Sequence, residues 1–427
     1  MSRPKFPLNT TPWKEKVFTC LALALATVTL SFYFFSIYWM SDYPVGSDFA
    51  KFYYSSHYFW AGEDIYQEVP LDLFGPLPEP RGNPRDDLHP NLNPPFVTLL
   101  LAPAGLMSYP AAYVVWSTLS LFFGILAIHL IRAALFPNLV AYASIGFYIL
   151  LLAYFPTWIS ILYGQLSLLL FLLLTLAWLG LRSGHNRKAG IALGLAASIK
   201  LFAGLYLLFL LVRRQWQTLA WALGTIAVCF FSGLVLIGPA AHQRYVEVLG
   251  KINWYSASWN ASFQGFFMRV FGGSENVPLI PSPSTGRIFW GGCALALILG
   301  LVFQVKKGDE NSSPIHIDKG FGLCSVAMLL LSPLGWMYYF PVLWLAFAIG
   351  WKYRAAFGPW ISIFLFFSWA LSTFPHLLIP AREIEGIWVI FVLSGVYFYG
   401  LLLLALAFFI ICRADPASLP EPPPRLP

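Results

Sequence analysis

The sequence predicts an all-α integral membrane protein: a polytopic bundle of about twelve membrane helices, two of them half-length, with interfacial helices in the outer loops. Three observations lead there. Of 427 residues, 58% are hydrophobic and 11% charged, and the mean hydropathy of +0.69 lies far above that of a soluble globular chain. Apolar runs of about 20 residues, the length that crosses a bilayer, recur from one end to the other. Aromatic residues reach 18%, as expected where rings sit at membrane–water interfaces. The net charge of +7 would suit nucleic acid, but the basic residues form short clusters between apolar runs. A membrane explains that pattern better, so membrane lipids are expected partners and nucleic acid is not.

The first apolar run, 17–39, is too long for a signal-peptide core and lacks a small-x-small cleavage site, so it reads as a retained span. Further spans are expected at 110–133, 138–155, 163–182, 215–238, 287–305, 357–375 and 386–412. Residues 319–351 are divided by Pro333 and Gly335 into two short spans. Residues 188–212 carry Lys200 in mid-run. With Arg3, Lys5, Lys14 and Lys16 inside, the positive-inside rule strands Arg213 and Arg214 outside if 188–212 crosses once. A hairpin turning near Lys200 keeps both ends inside, and such a break at membrane depth is tolerated where it lines a protein cavity. Residues 94–107 are too short and Pro-interrupted to cross and are expected to be re-entrant or interfacial. Residues 1–412 thus form one membrane domain with outer loops 41–109, 239–286 and 376–386, followed by a Pro-rich cytoplasmic tail, 413–427. Within the first loop, Phe49, Phe52, Tyr53, Ser56, Phe59 and Trp60 share one helical face, which predicts an amphipathic helix lying in the interface.

This topology gathers chemically capable residues on the outer side. Asp48 precedes the amphipathic run, and two roles fit it: helix N-cap, or general base in an outward pocket. Lys200 is a costly intramembrane charge, either a phosphate contact or a snorkelling or ion-paired structural lysine. "NASFQGFFMR" brings Asn260, Gln264 and Arg269 among phenylalanines, as a headgroup-binding or simply lipid-surface helix. His57, His89 and His376 lack HxxxH or HExxH spacing, and Cys20, Cys229, Cys293, Cys324 and Cys412 lie inside apolar runs. No metal or cofactor is therefore expected. P-loop, GxGxxG and GxSxG motifs are absent, which disfavours an ATPase or soluble hydrolase.

Several segments, in order, resemble glycosyltransferase family 87, in the GT-C superfamily of membrane enzymes. They are "GSDFAKFYYSSHYFWAGEDIY", "NPPFVTLLLAPAGLM", "YGQLSLLLFLLL", "AGIALGLAASIKLFAGLYLLFLLVRRQW", "NASFQGFFMR" and "SPLGWMYYFPVL". The chain departs from the pattern at Asn93, where Tyr is usual, at Gly335, where Ser is usual, and after Lys200, where a Pro usually follows. The resemblance implies an inverting transferase on the outer membrane face. It would move mannose or another hexose from a polyprenyl-phosphate-linked donor to an envelope lipid or glycan, in a bacterial inner membrane. Asp48 then takes the position of the catalytic base, and Lys200 and Arg269 are the expected donor-phosphate contacts. His57, Asn260, Gln264 and His376 would bind sugar hydroxyls, and Trp336 and Tyr338 would stack on a sugar face. Lys51, Tyr53, His89, Asn93 and Gln165 complete the expected sugar and acceptor contacts. A transporter or flippase of a lipid-linked substrate shares the broken helix, and a non-catalytic assembly subunit would share the motif departures.

Overall fold

The structure, a computed structural model, describes residues 12–43, 47–68, 91–273, 276–306, 314–375, 378 and 385–413. His89, His376, most of the Pro-rich part of the first loop and the tail from residue 414 lie outside the described residues. In chain order come α1 (Pro12–Ser41), α2 (Phe49–Ala61), α3 (Pro95–Leu101), α4 (Tyr109–Leu135), α5 (Ala141–Ala153) and α6 (Phe155–Leu162). Then follow α7 (Ser167–Arg182), α8 (Asn186–Ile199), α9 (Leu205–Val212), α10 (Trp216–Leu236), α11 (Pro239–Gly250) and α12 (Phe263–Phe271). The last are α13 (Pro283–Lys306), α14 (Pro314–Leu331), α15 (Trp344–Tyr353), α16 (Pro359–Ser372) and α17 (Val396–Arg413).

Six of these (α1, α4, α10, α13, α14 and α17) are long and apolar enough to cross a membrane, and the bent pair α5–α6 makes a seventh. The number falls short of twelve because the remaining reversals use short helices. α7 has 16 residues, α8 and α16 have 14 each, α15 has 10 and α9 has 8. The α5–α6 pair bends by 56° at Tyr154, where Pro156 begins a new helix and the ring hydroxyl donates to Ser372 Oγ at 2.9 Å.

α14 runs through the centre of the bundle, with 83% of its apolar window buried, whereas the windows of α1 and α10 are each only 17% buried. The outward faces of those peripheral helices carry Phe35, Val228 and Val235, exposed and apolar. An exposed apolar belt of this extent fits hydrocarbon rather than water.

The break at Lys200 is present. Lys200 is extended (φ −139°, ψ 118°), followed by a 3-10 turn at Leu201–Gly204 and then α9. The hairpin follows from what α8 touches. Asn186 Nδ2 donates to Gln217 Oε1 at 2.9 Å, Gly190 lies against Thr218 and Trp221, and Gly194 against Ala222 and Thr225. α8 and α10 therefore run parallel from the same level, and α9 must carry the chain back between them. Arg187, Lys188, Arg213 and Arg214 consequently share one end.

At that same end, the C-terminus of α7 meets α14 and α15 in a buried cluster. Asp318 accepts from Trp178 Nε1 at 2.8 Å and from Tyr353 Oη at 2.7 Å, and pairs with Arg182 Nε at 3.3 Å. Asp318 is wholly buried.

α2 forms where the amphipathic helix was expected, but nine of its 13 residues are buried. It therefore lies within the body of the protein rather than flat in the interface. Gly105 permits this: a Cβ there would come within 2.6 Å of the Ser56 backbone, so the 3-10 segment 102–106 closes directly onto α2. Trp60 Nε1 donates to Ala102 O at 2.7 Å across the same contact.

Candidate active site

Asp48 stands immediately before α2, yet its side chain makes no cap bond. Ser47 does that work, its Oγ accepting from Phe49 N at 3.2 Å. The Asp48 carboxylate is thereby left for other contacts. Its Oδ1 receives Lys51 Nζ at 2.6 Å, one helical turn on, and its Oδ2 accepts from Gln165 Nε2. Gln165 reaches it because Gly164 takes a left-handed conformation (φ 63°) between α6 and α7. A Cβ on Gly164 would lie 2.4 Å from the Phe49 Cβ, so the close approach also requires glycine. Trp116 Nε1 donates to Gly164 O at 2.8 Å and fixes the turn.

Beside this cluster is a cavity of about 430 Å³. Lys51 and Lys200 line it together with Trp336, Tyr338, Tyr339 and Ser332, and its remaining wall is mostly apolar, including Leu201, Leu205, Leu249 and Ile252. Among the described residues, the lining holds two amines and no carboxylate. Lys200 Nζ lies over the Tyr339 ring at 5.3 Å, and among the described residues it makes no ion pair. Trp336 and Tyr338 stack with centroids 6.1 Å apart. Tyr338 and Tyr339 both stand within electrostatic reach of Asp48. On the α11 side, burial pushes the Tyr245 phenol up to about 12, so it faces the cavity as a neutral hydrogen-bonding group.

Asn260 is not a sugar contact here, because all its hydrogen-bonding capacity is spent on the fold. Its Nδ2 donates to Tyr255 O and Pro333 O, both at 2.9 Å. Its Oδ1 accepts from Gly335 N at 3.0 Å and Ser262 N at 3.2 Å. With the bridge between Asn260 and Trp336, these bonds clamp the second outer loop to the turn that presents Trp336 and Tyr338. Gly335 belongs in that clamp, since a Cβ would meet Leu329 O at 2.4 Å. Arg269, an expected phosphate contact, sits apart from the cavity. Fully buried, it donates through Nη1 to Ala257 O at 2.8 Å and Asn260 O at 3.0 Å, and it does not line the cavity.

Gln264 is half-buried on α12 and also off the cavity. Asn93 is buried against Asn91, its Nδ2 donating to Asn91 Oδ1 at 2.8 Å, while its neighbours Leu92 and Pro94 take the cavity wall. Tyr53 Oη donates to Met107 O at 2.9 Å, packing α2 onto the interfacial segment. His57 lies on α2 beside Gly105 and does not line the cavity.

The structure thus brings together Asp48, Lys51, Gln165, Lys200, Trp336 and Tyr338 of the expected set. It adds Tyr339, Ser332 and Tyr245, of which Ser332 and Tyr339 lie within the quoted segment "SPLGWMYYFPVL" and Tyr245 lies in no quoted segment. It also adds Asn91 and Ser55, linked by a 2.8 Å bond that anchors the 91–94 segment. Residues 91–312, just over half the chain, match glycosyltransferase family 87. The matched stretch holds Gln165, Lys200 and Asn260, while Asp48 and Lys51 precede it and Trp336 and Tyr338 follow it. No match was found among curated proteins or among solved structures.

Proposed function

The chain belongs to glycosyltransferase family 87, and from that premise we propose that it moves mannose or another hexose from a polyprenyl-phosphate donor onto an envelope lipid or polysaccharide acceptor, with inversion. The observation that carries this reading is a carboxylate, Asp48, held beside a cavity whose lining, among the described residues, carries Lys51 and Lys200 and no acid. A phosphate leaving group is stable as an anion and needs cationic contacts rather than a general acid. Lys200 supplies one such contact. The acceptor hydroxyl attacks the anomeric carbon as the carbon–oxygen bond to phosphate breaks, and its proton passes to the Asp48 carboxylate. Gln165 holds that carboxylate by its other oxygen. Trp336 and Tyr338 offer flat faces to a sugar ring, and the apolar wall suits a lipid chain arriving from the bilayer.

On this reading the short helices complete twelve passes, the basic ends of α7, α8 and α17 face the cytoplasm, and the cavity faces the periplasm across a bacterial inner membrane. The test is transfer of label from radiolabelled polyprenyl-phosphate mannose to an envelope lipid extract in nanodiscs. New labelled glycolipid with wild type and none with Asp48→Asn supports the reading. Donor binding without transfer to any fraction overturns it.

A further inference from the structure

We propose that Lys51 is a second ligand for the donor phosphate, and that its pairing with Asp48 keeps the base occupied until that phosphate arrives. The inference rests on the transferase reading above and assigns Lys51 a role different from a sugar contact.

Each oxygen of the Asp48 carboxylate already holds a partner. One oxygen holds the Lys51 ammonium at 2.6 Å and the other holds the Gln165 amide. A carboxylate oxygen that holds an ammonium must give up that contact before it can meet an acceptor hydroxyl. Gln165 is fixed by the Gly164 turn. Lys51 is different: its side chain is on the cavity wall, on a flexible four-carbon stem, while Asp48 itself is not among the lining residues. The group that borders both the base and the empty space is therefore the lysine.

The cavity supplies the reason for it to move. Among the described residues, its lining carries two lysine amines and no acid, and Lys200 has no carboxylate partner. A space walled by two amines and apolar side chains fits an anionic headgroup on a lipid. A phosphate entering beside Lys200 competes with Asp48 for Lys51. Once Lys51 turns to the phosphate oxygens, Oδ1 of Asp48 is open to accept a proton. Binding of the donor and release of the base become one event, which keeps the base idle in an empty site.

Competition gives a sign that a plain structural ion pair does not. Binding of polyprenyl phosphate to the full-length protein in nanodiscs is measured by titration, with inorganic phosphate as a separate ligand. Lys51→Gln is expected to weaken polyprenyl phosphate about tenfold or more, the worth of a charged hydrogen bond. Asp48→Asn is expected to tighten it severalfold, because Lys51 is no longer held. The double variant should bind like Lys51→Gln alone, and Lys51→Arg should retain binding. Unchanged or weaker binding by Asp48→Asn, with wild type binding and transferring normally, overturns the inference and leaves the transferase reading intact. Failure of wild type to bind polyprenyl phosphate overturns both. Inorganic phosphate binding as tightly as the lipid would overturn the lipid headgroup as the occupant.

Discussion

Two ion-paired carboxylates stand one at each end of α7, and they are built differently. At the end that begins near Gln165, Asp48 has two partners, and one of them, Lys51, borders open space. At the end that finishes with Arg182, Asp318 has three, from α7 and α15, and is sealed. The 16 residues between correspond to about 24 Å. A fully partnered buried pair holds helices in register, because any loss leaves an uncompensated charge. A pair bordering a cavity can exchange partners. The same chemistry thus serves cohesion at one end and, on the proposed function, reaction at the other.

The contrast can be broken by substitution. Asp48→Asn should cut transfer by about 10²–10⁴-fold, the worth of a general base, with little change in unfolding midpoint in mixed micelles. A large loss of stability there would erase the distinction. Asp318→Asn should do the reverse. Leaving Arg182 buried without its charge partner costs about 3–5 kcal/mol, read by denaturant titration, while transfer per folded molecule stays near wild type. Asn260→Ala lies between the two, because it strands Gly335 N and Pro333 O. Stability should fall by about 1–3 kcal/mol, and steady-state kinetics should show KM rising more than kcat falls as Trp336 loses its support. Tyr353→Phe sharpens the comparison at its small end: one hydrogen bond to Asp318 is lost, about 1 kcal/mol, with kinetics unchanged.

The sequence made the membrane class, the break at Lys200 and the position of Asp48 legible, each for a local reason. Lys200 interrupts an apolar run and Arg213–Arg214 demand a return, so charge alone forces the hairpin. Gln165 was visible because it is polar at the end of a span. Asn260 was misread because its four bonds reach as far as Pro333 and Gly335, more than 70 residues away. A polar residue in an aromatic loop looks like a ligand group until its partners are known. Arg269 stands off the cavity, its Nη1 held by backbone carbonyls that no side-chain pattern announces. The bend at Tyr154 had a local signal in Pro156, but the apolar run across it concealed the change of direction. The sequence left Asp48 two roles, cap or base, because Asp and Ser are both good caps, and only geometry shows that Ser47 supplies the side-chain bond to the start of α2.

The hairpin carrying Lys200 fixes a depth. α8 has 14 residues, about 21 Å of helix, and the hydrocarbon of a bilayer is about 30 Å thick. Its tip therefore stops short of the far headgroups, and Lys200 waits beneath their plane. Lipid-borne reactants reach that level by lateral diffusion, whereas bulk water must descend into it. On the proposed function, hydrolysis, the wasteful side reaction open to any activated sugar, is handicapped by the depth at which the lysine stands.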